Sequence, residues 1–216
     1  METIYIFSGL GADSRVFEKL DFSGLNVVYI NWLKPRPSEA LESYLFRLAE
    51  HYKIPKQGAL VLGVSFGGIC ISELSKYYDF QKTVLISSAK TRDELPKSVG
   101  FSKLLSLHKL LPGGVNSKAV SKVIHWLFGA KTVEERNLLD NVLKDSDPDF
   151  QKWAIDKIVN WENKHTPVNC LHIHGDKDRL IPIQNVDYTI RVKGGGHLMV
   201  WNKAVELSFP IRNFLF

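Results

Sequence analysis

The chain has 216 residues, room for one large domain or a domain with an insertion, and its 44% hydrophobic and 24% charged content is that of a globular protein. No apolar run approaches the roughly 18 residues of a membrane span, so no integral membrane association is expected. The formal charge of +5 raises the question of nucleic acid, but the sequence has no Arg-rich run, zinc-finger spacing or aromatic RNA-binding motif, and no nucleic-acid partner is expected.

The charge is unevenly spread. Residues 1–89 carry nine basic and nine acidic groups, whereas Lys97 to Lys131 holds six lysines and no acid. These lysines read as a solvated helix face, with attraction of an anionic substrate or surface as the alternative. Met1-Glu2-Thr3 lacks a basic region and leads straight into an apolar run, which reads as a first strand and not a signal peptide. Cys70 and Cys170 sit in apolar contexts and read as buried thiols of a cytoplasmic protein, without a disulfide framework or zinc spacing.

In chain order, Ile4 to Phe7 reads as strand 1 and runs into the glycine loop Ser8-Gly9-Leu10-Gly11. A short helix over Ser14 to Leu20 follows. Asn26 to Trp32 is strand 2, rich in β-branched residues. Ser38 is placed to cap a helix reaching Tyr52, with Leu41, Tyr44, Leu45, Leu48 and Tyr52 on one face. Ala59 to Val64 is strand 3, Ile69 to Tyr77 a helix, and Thr83 to Ser87 strand 4. Near-continuous apolar strands alternating with helices argue for a parallel sheet covered on both faces.

From about Lys90 to Thr166 the alternation stops and four helical patterns replace it. Phe101, Leu104, Leu105 and Leu111 share one face; Val120, Val123, Ile124, Leu127 and Phe128 share the next. Thr132 to Glu135 is a capping box opening a third helix. A fourth opens near Asp149 and carries Phe150, Trp153, Ala154, Ile158 and Trp161. Pro112-Gly113-Gly114 and Pro148 mark breaks. Alternation resumes with strand 5 at Val168 to Ile173 and strand 6 at Tyr188 to Val192. The last helix starts near Lys203, and Pro210 is expected to kink or split it.

The chemistry centres on Gly63-Val64-Ser65-Phe66-Gly67, between strand 3 and a helix. A turn this tight strains the serine backbone and excludes side chains at Gly63 and Gly67, lifting the Ser65 hydroxyl clear of the sheet. A serine hydroxyl needs a base, and the base an orienting group. His197, in the glycine-rich turn Gly194-Gly195-Gly196-His197, is the best-placed base. An aspartate on the loop after strand 5 could hold its ring.

Taken together, these motifs resemble the α/β-hydrolase fold family over Ile4 to Leu215. Gly63 to Gly67 matches the nucleophile elbow, and His174-Gly175-Asp176-Lys177-Asp178 is similar to the His-Gly-x-x-Asp acid loop. Gly196-His197 matches the family's Gly-His. Ser8-Gly9-Leu10-Gly11 matches its oxyanion loop, with serine in place of the usual histidine. The resemblance implies a sheet of about six mainly parallel strands in the order 2-1-3-4-5-6. Residues 1–89 and 167–216 would form the core, and 90–166 a helical cap inserted after strand 4.

It also implies a serine esterase or thioesterase triad of Ser65, Asp178 and His197, with the backbone N–H groups of Leu10 and Phe66 as the oxyanion hole. Trp126, Phe128 and Trp153, with Trp161, are candidates for lining an acyl pocket, or else plain helix core. The implied partner is a small-molecule acyl substrate. Ser, His, Asp and backbone donors suffice, so neither cofactor nor metal is implied. Acyl transfer, C–C cleavage, lyase chemistry and ligand reception are the alternatives on the same fold. Asp93 and Glu94 after strand 4 are a fallback acid position. His172 reads as packed, His174 as a brace for the acid loop, and His51, His108, His125 and His165 as surface residues.

Overall fold

The computed structural model describes residues 1–96 and 118–216. Its strands are β1 (Thr3–Phe7), β2 (Asn26–Ile30), β3 (Leu60–Val64), β4 (Lys82–Ile86), β5 (Cys170–Gly175) and β6 (Ile190–Val192). They form one sheet in the expected order, β2-β1-β3-β4-β5-β6, and every neighbouring pair is parallel. Strand 5 starts two residues later than its apolar run suggests. Asn169, at φ 46°, is left-handed and cannot extend the strand backwards.

The strands are apolar on both sides because both sides are covered. Ile4 and Ile6, Leu60 and Leu62, and Val84 and Ile86 face one layer, whereas Tyr5, Phe7, Val61 and Leu85 face the other. That is the two-residue alternation of extended chain. The helices are α1 (Leu41–His51), α2 (Phe66–Leu74), α3 (Lys118–Phe128), α4 (Val133–Asp145), α5 (Pro148–Val159), α6 (Met199–Asn202) and α7 (Ala204–Leu215). Tyr44, Leu45 and Leu48 of α1, Ile69 of α2 and Phe150 of α5 pack on the Tyr5 side. Val16 and Phe17 of the 3-10 turn Ser14–Phe17 pack on the Ile4 side with Met199, Leu207 and Ile211. Leu139 and Val142 of α4 join Leu198 and Trp201 in a third cluster.

The ends of these helices follow local chemistry. Thr132 and Glu135 form the expected capping box, and Asp147 caps α5 with Pro148 as its first residue. One expectation fails: Ser38 has φ 55° and does not cap α1; the chain enters through extended Ala40, with no side-chain cap. Pro210 lies inside α7 and does not split it. The bond it removes belongs to the carbonyl of Glu206, an exposed residue in the first turn. The expected helix through Phe101 and Leu111, His108 and the break at Pro112 fall outside the described residues, as do Lys97, Lys103 and Lys109.

The sheet order reverses between β1 and β3. In a parallel sheet the loops leaving two such strands flank a crevice at their C-terminal ends. Those loops are Ser8–Ala12 and the turn at Ser65.

Candidate active site

Ser65 links β3 to α2 with φ 52° and ψ −118°, a conformation that costs a non-glycine residue on the order of 1–3 kcal/mol. Its surroundings hold it there. The Ser65 N–H donates to the Ile86 carbonyl at 3.1 Å, and the Ser88 hydroxyl donates to the Ser65 carbonyl at 2.7 Å. The neighbouring glycines are steric requirements. A Cβ on Gly63 would lie 2.6 Å from the Gly68 nitrogen, and one on Gly67 would lie 2.5 Å from the Ser8 carbonyl oxygen.

His197 follows β6 in a turn that touches the loop after β5. A Cβ on Gly175 would collide with the Gly195 backbone, and the Lys177 N–H donates to the Gly195 carbonyl at 2.8 Å. The Asp176 carboxylate accepts from the Gly194 N–H at 2.7 Å and from Arg191. The loops carrying Asp178 and His197 are therefore locked to each other through their backbones.

Three side chains form a continuous relay. His197 Nε2 lies 2.8 Å from Ser65 Oγ, and His197 Nδ1 lies 2.8 Å from Asp178 Oδ2. Nδ1 faces a carboxylate and must donate, which leaves Nε2 to accept from the serine hydroxyl. Asp178 is 6% exposed, and its other oxygen accepts from the N–H groups of Leu180 and Ile181, each at 2.9 Å. Asp176 instead ties down the loop, as the contacts above show. Glu94 does not reach the relay either. It accepts from the N–H groups of Lys90 and Asp187, and burial raises its pKa. Asp93 is exposed.

Two further histidines support these loops. His174 Nε2 donates to the Ile181 carbonyl at 2.8 Å, and burial lowers its pKa, so it stays neutral although Asp178 lies 3.6 Å away. His172 lies between two carbonyls, Ser88 at 3.1 Å and Asp187 at 3.3 Å. Burial, followed by the neighbouring His174, pushes its pKa down to about 3. The neutral ring can donate to only one of the two carbonyls, and Ser88 is the closer. His172 thus steadies the residue whose hydroxyl holds the Ser65 carbonyl.

The β1 loop lies directly against the serine. A Cβ on Gly9 would sit 3.4 Å from Ser65 Cβ. The backbone N–H groups of Leu10 and Phe66 donate to no acceptor among the described residues. Phe66 is the first residue of α2, where N–H groups have no partner within the helix.

A cavity of about 140 Å³ opens on Ser65 and His197. Its wall is apolar, with Leu127 and Phe128 from α3, Leu139 and Leu143 from α4, and Ile155 and Ile158 from α5. Of the three expected lining residues, only Phe128 is there, its ring edge-on to His197 at 5.2 Å. Trp126 is 59% exposed and stacks under the Arg179 guanidinium, which also donates to its carbonyl. Trp153 turns away, its ring 4.4 Å from that of Tyr44 and its N–H on the Glu39 carbonyl at 2.8 Å. Trp161 is core, donating to Glu73 at 2.8 Å. Trp153 and Trp161 instead place their indole N–H groups on acceptors away from the cavity, the Glu39 carbonyl and the Glu73 carboxylate.

One lining residue is absent from the sequence-based set. Gln151 is the cavity's polar side chain, among the described residues, besides Ser65 and His197. The signal was available: Gln151, Ile155 and Ile158 share one helix face, so a glutamine interrupts an apolar stripe.

No protein-family model matches the chain, and no curated protein matches its sequence. Solved structures do. A thermophilic esterase from Thermogutta terrifontis superposes with a TM-score of 0.76 at 12% identity, over 100% of this chain and 89% of that one. An esterase from Exiguobacterium antarcticum gives 0.76 at 14% identity, over 99% and 91%. A meta-cleavage product hydrolase from Pseudomonas fluorescens gives 0.72 at 16%, over 100% and 90%. At these identities the likeness is one of fold, and the chain has the α/β-hydrolase fold. No helix among the described residues is long and apolar enough to cross a membrane.

Proposed function

We propose that this α/β-hydrolase-fold chain is a serine hydrolase that cleaves small carboxylic esters or thioesters, with Ser65 as nucleophile, His197 as base and Asp178 as its orienting acid. The observation that carries the reading is the unbroken Ser65–His197–Asp178 relay, each link 2.8 Å, at the mouth of an apolar cavity. The esterases among the fold's solved members support it. Residues 1–89 and 167–216 serve as the core, and 90–166 as the cap over the nucleophile. Two free cysteines fit a cytoplasmic location.

The reaction runs in two halves. Ser65 Oγ attacks the substrate carbonyl carbon as His197 Nε2 takes its proton. Asp178 holds the ring by Nδ1 and stabilises the imidazolium. Negative charge collects on the carbonyl oxygen, toward the N–H groups of Leu10 and Phe66; one such donor is worth about 3–4 kcal/mol in the transition state. The intermediate collapses, His197 returns the proton to the departing alcohol or thiol, and the acyl group stays on Ser65. Water, giving its proton to His197, then attacks the acyl-enzyme. The acid leaves and Ser65 regains its proton. The apolar wall takes the acyl group and keeps bulk water from the ester.

Incubation with a fluorophosphonate probe, read by intact mass, tests this. One adduct is expected, absent in Ser65→Ala and strongly slowed in His197→Ala. No adduct on folded protein, or an adduct surviving Ser65→Ala, overturns the assignment.

A further inference from the structure

Resting on the hydrolase reading, we infer that Gln151 selects the acyl group: a short chain, of about six non-hydrogen atoms beyond the scissile carbonyl, bearing an oxo or hydroxyl oxygen that Gln151 binds. The size follows from the cavity. Its volume is about 140 Å³, and an apolar cavity of about 150 Å³ accommodates a benzene-sized molecule. An aliphatic chain of ten carbons exceeds the volume walled by the described residues.

The polarity follows from Gln151 itself. Its Nε2 donates to the Leu143 carbonyl at 3.3 Å, a long bond that uses one of two amide hydrogens. The other hydrogen and the amide oxygen have no protein partner among the described residues, and the half-buried side chain lines an otherwise apolar wall. Solvent reaches these groups in the free protein, and a substrate oxygen on the acyl chain would take the water's place on the amide.

The placement follows from the oxyanion loop. Gly9 packs on Ser65, and Gly11, two residues on, packs on Gln151; a Cβ on Gly11 would lie 3.4 Å from Gln151 Nε2 and 2.9 Å from a Leu143 methyl. Gly11 has φ 70°, so glycine is favoured there both by conformation and by this close approach. The amide therefore lies beyond the scissile carbonyl, separated from Ser65 by the width of one loop.

The competing account is that Gln151 only satisfies the Leu143 carbonyl, one of the last in α4. A substrate-selectivity ratio separates the two. We would measure kcat/KM for p-nitrophenyl 4-oxopentanoate, pentanoate and decanoate on the wild type, Gln151→Leu and Gln151→Met, with melting curves and fluorophosphonate labelling alongside. The wild type is expected to prefer the 4-oxo ester over pentanoate about tenfold, the equivalent of one hydrogen bond, and to discriminate strongly against decanoate. In either variant the oxo preference should fall to about one.

A wild type that labels on Ser65 and cleaves the short esters without an oxo preference overturns this inference alone. So does an unchanged ratio in a folded variant, or decanoate turned over as fast as pentanoate. A wild type that labels but cleaves neither short ester overturns the short-ester reading as well. Failure of Ser65 to label overturns the hydrolase reading and this inference with it.

Discussion

The strand ends that carry Ser65, Asp178 and His197 and the helices that wall the cavity are constrained in different ways. At the strand ends the key positions are fixed by close backbone contacts and hydrogen bonds. Gly63 and Gly67 admit no side chain, Asp178 is held by two N–H groups, and the loops of Asp178 and His197 touch through Gly175 and Gly195. In the wall, apolar side chains from α3, α4 and α5 meet with no comparable lock. The first region dictates chemistry through identity; the second sets shape through volume, and several residues could fill the same role.

That contrast predicts unequal responses. Asp178→Asn should have the largest effect, a loss of about 10⁴ in kcat with the fold intact. The Leu180 and Ile181 N–H groups would keep the amide oxygen, leaving the amide nitrogen to donate to His197 Nδ1. The base would then carry its proton on Nε2 and could not accept one from Ser65. Steady-state kinetics on a short ester decide this. Near-normal turnover in this variant, with loss in Asp93→Asn, would move the acid elsewhere.

A smaller effect tests how dry the strand ends are. His172 is held neutral with a pKa near 3, whereas the unfolded chain takes up its proton near the ordinary value of about 6.5. Between these limits the unfolded state binds more protons, so stability falls as pH drops from about 6.5 toward 3, by up to about 1.4 kcal/mol per pH unit. His172→Gln should remove that share of the slope in urea unfolding between pH 4 and 6.5. Equal slopes for both proteins would mean that the ring already titrates normally.

The smallest effect belongs to the wall's outer side. Trp126→Ala should change kcat/KM by less than about threefold, since its ring faces solvent and Arg179. A tenfold loss would place Trp126 on the substrate's path and erase the distinction between the two regions.

The same contrast explains what could be read in advance. Gly63, Ser65 and Gly67 were legible because a tight turn demands those residue types at that spacing. The strand order followed from the family likeness these motifs carry. Asp178 was separable from Asp176 by its place in the acid loop, and the structure puts each at a different task. The wall was not legible. Trp153 and Phe150 belong to one helix pattern, and nothing in a 3.6-residue period says whether an aromatic meets a cavity or Tyr44. Trp126 sits beside Leu127, yet one is exposed and the other buried, because tertiary contacts with the Arg179 loop decide. Gln151 passed unnoticed because a glutamine on a helix usually meets water.

Parallel pairing also sets an order of events during synthesis. β4 ends at Ile86, but its partner β5 begins only at Cys170. At ribosomal speeds of about 5–20 residues per second, the β4 edge waits roughly 4 to 17 s for that partner to be made. For that time the nascent sheet offers unpaired backbone to any neighbouring strand, the situation in which chains associate wrongly. His197 emerges later still, and the Ser65 hydroxyl has no imidazole beside it until the sheet is closed on the C-terminal side.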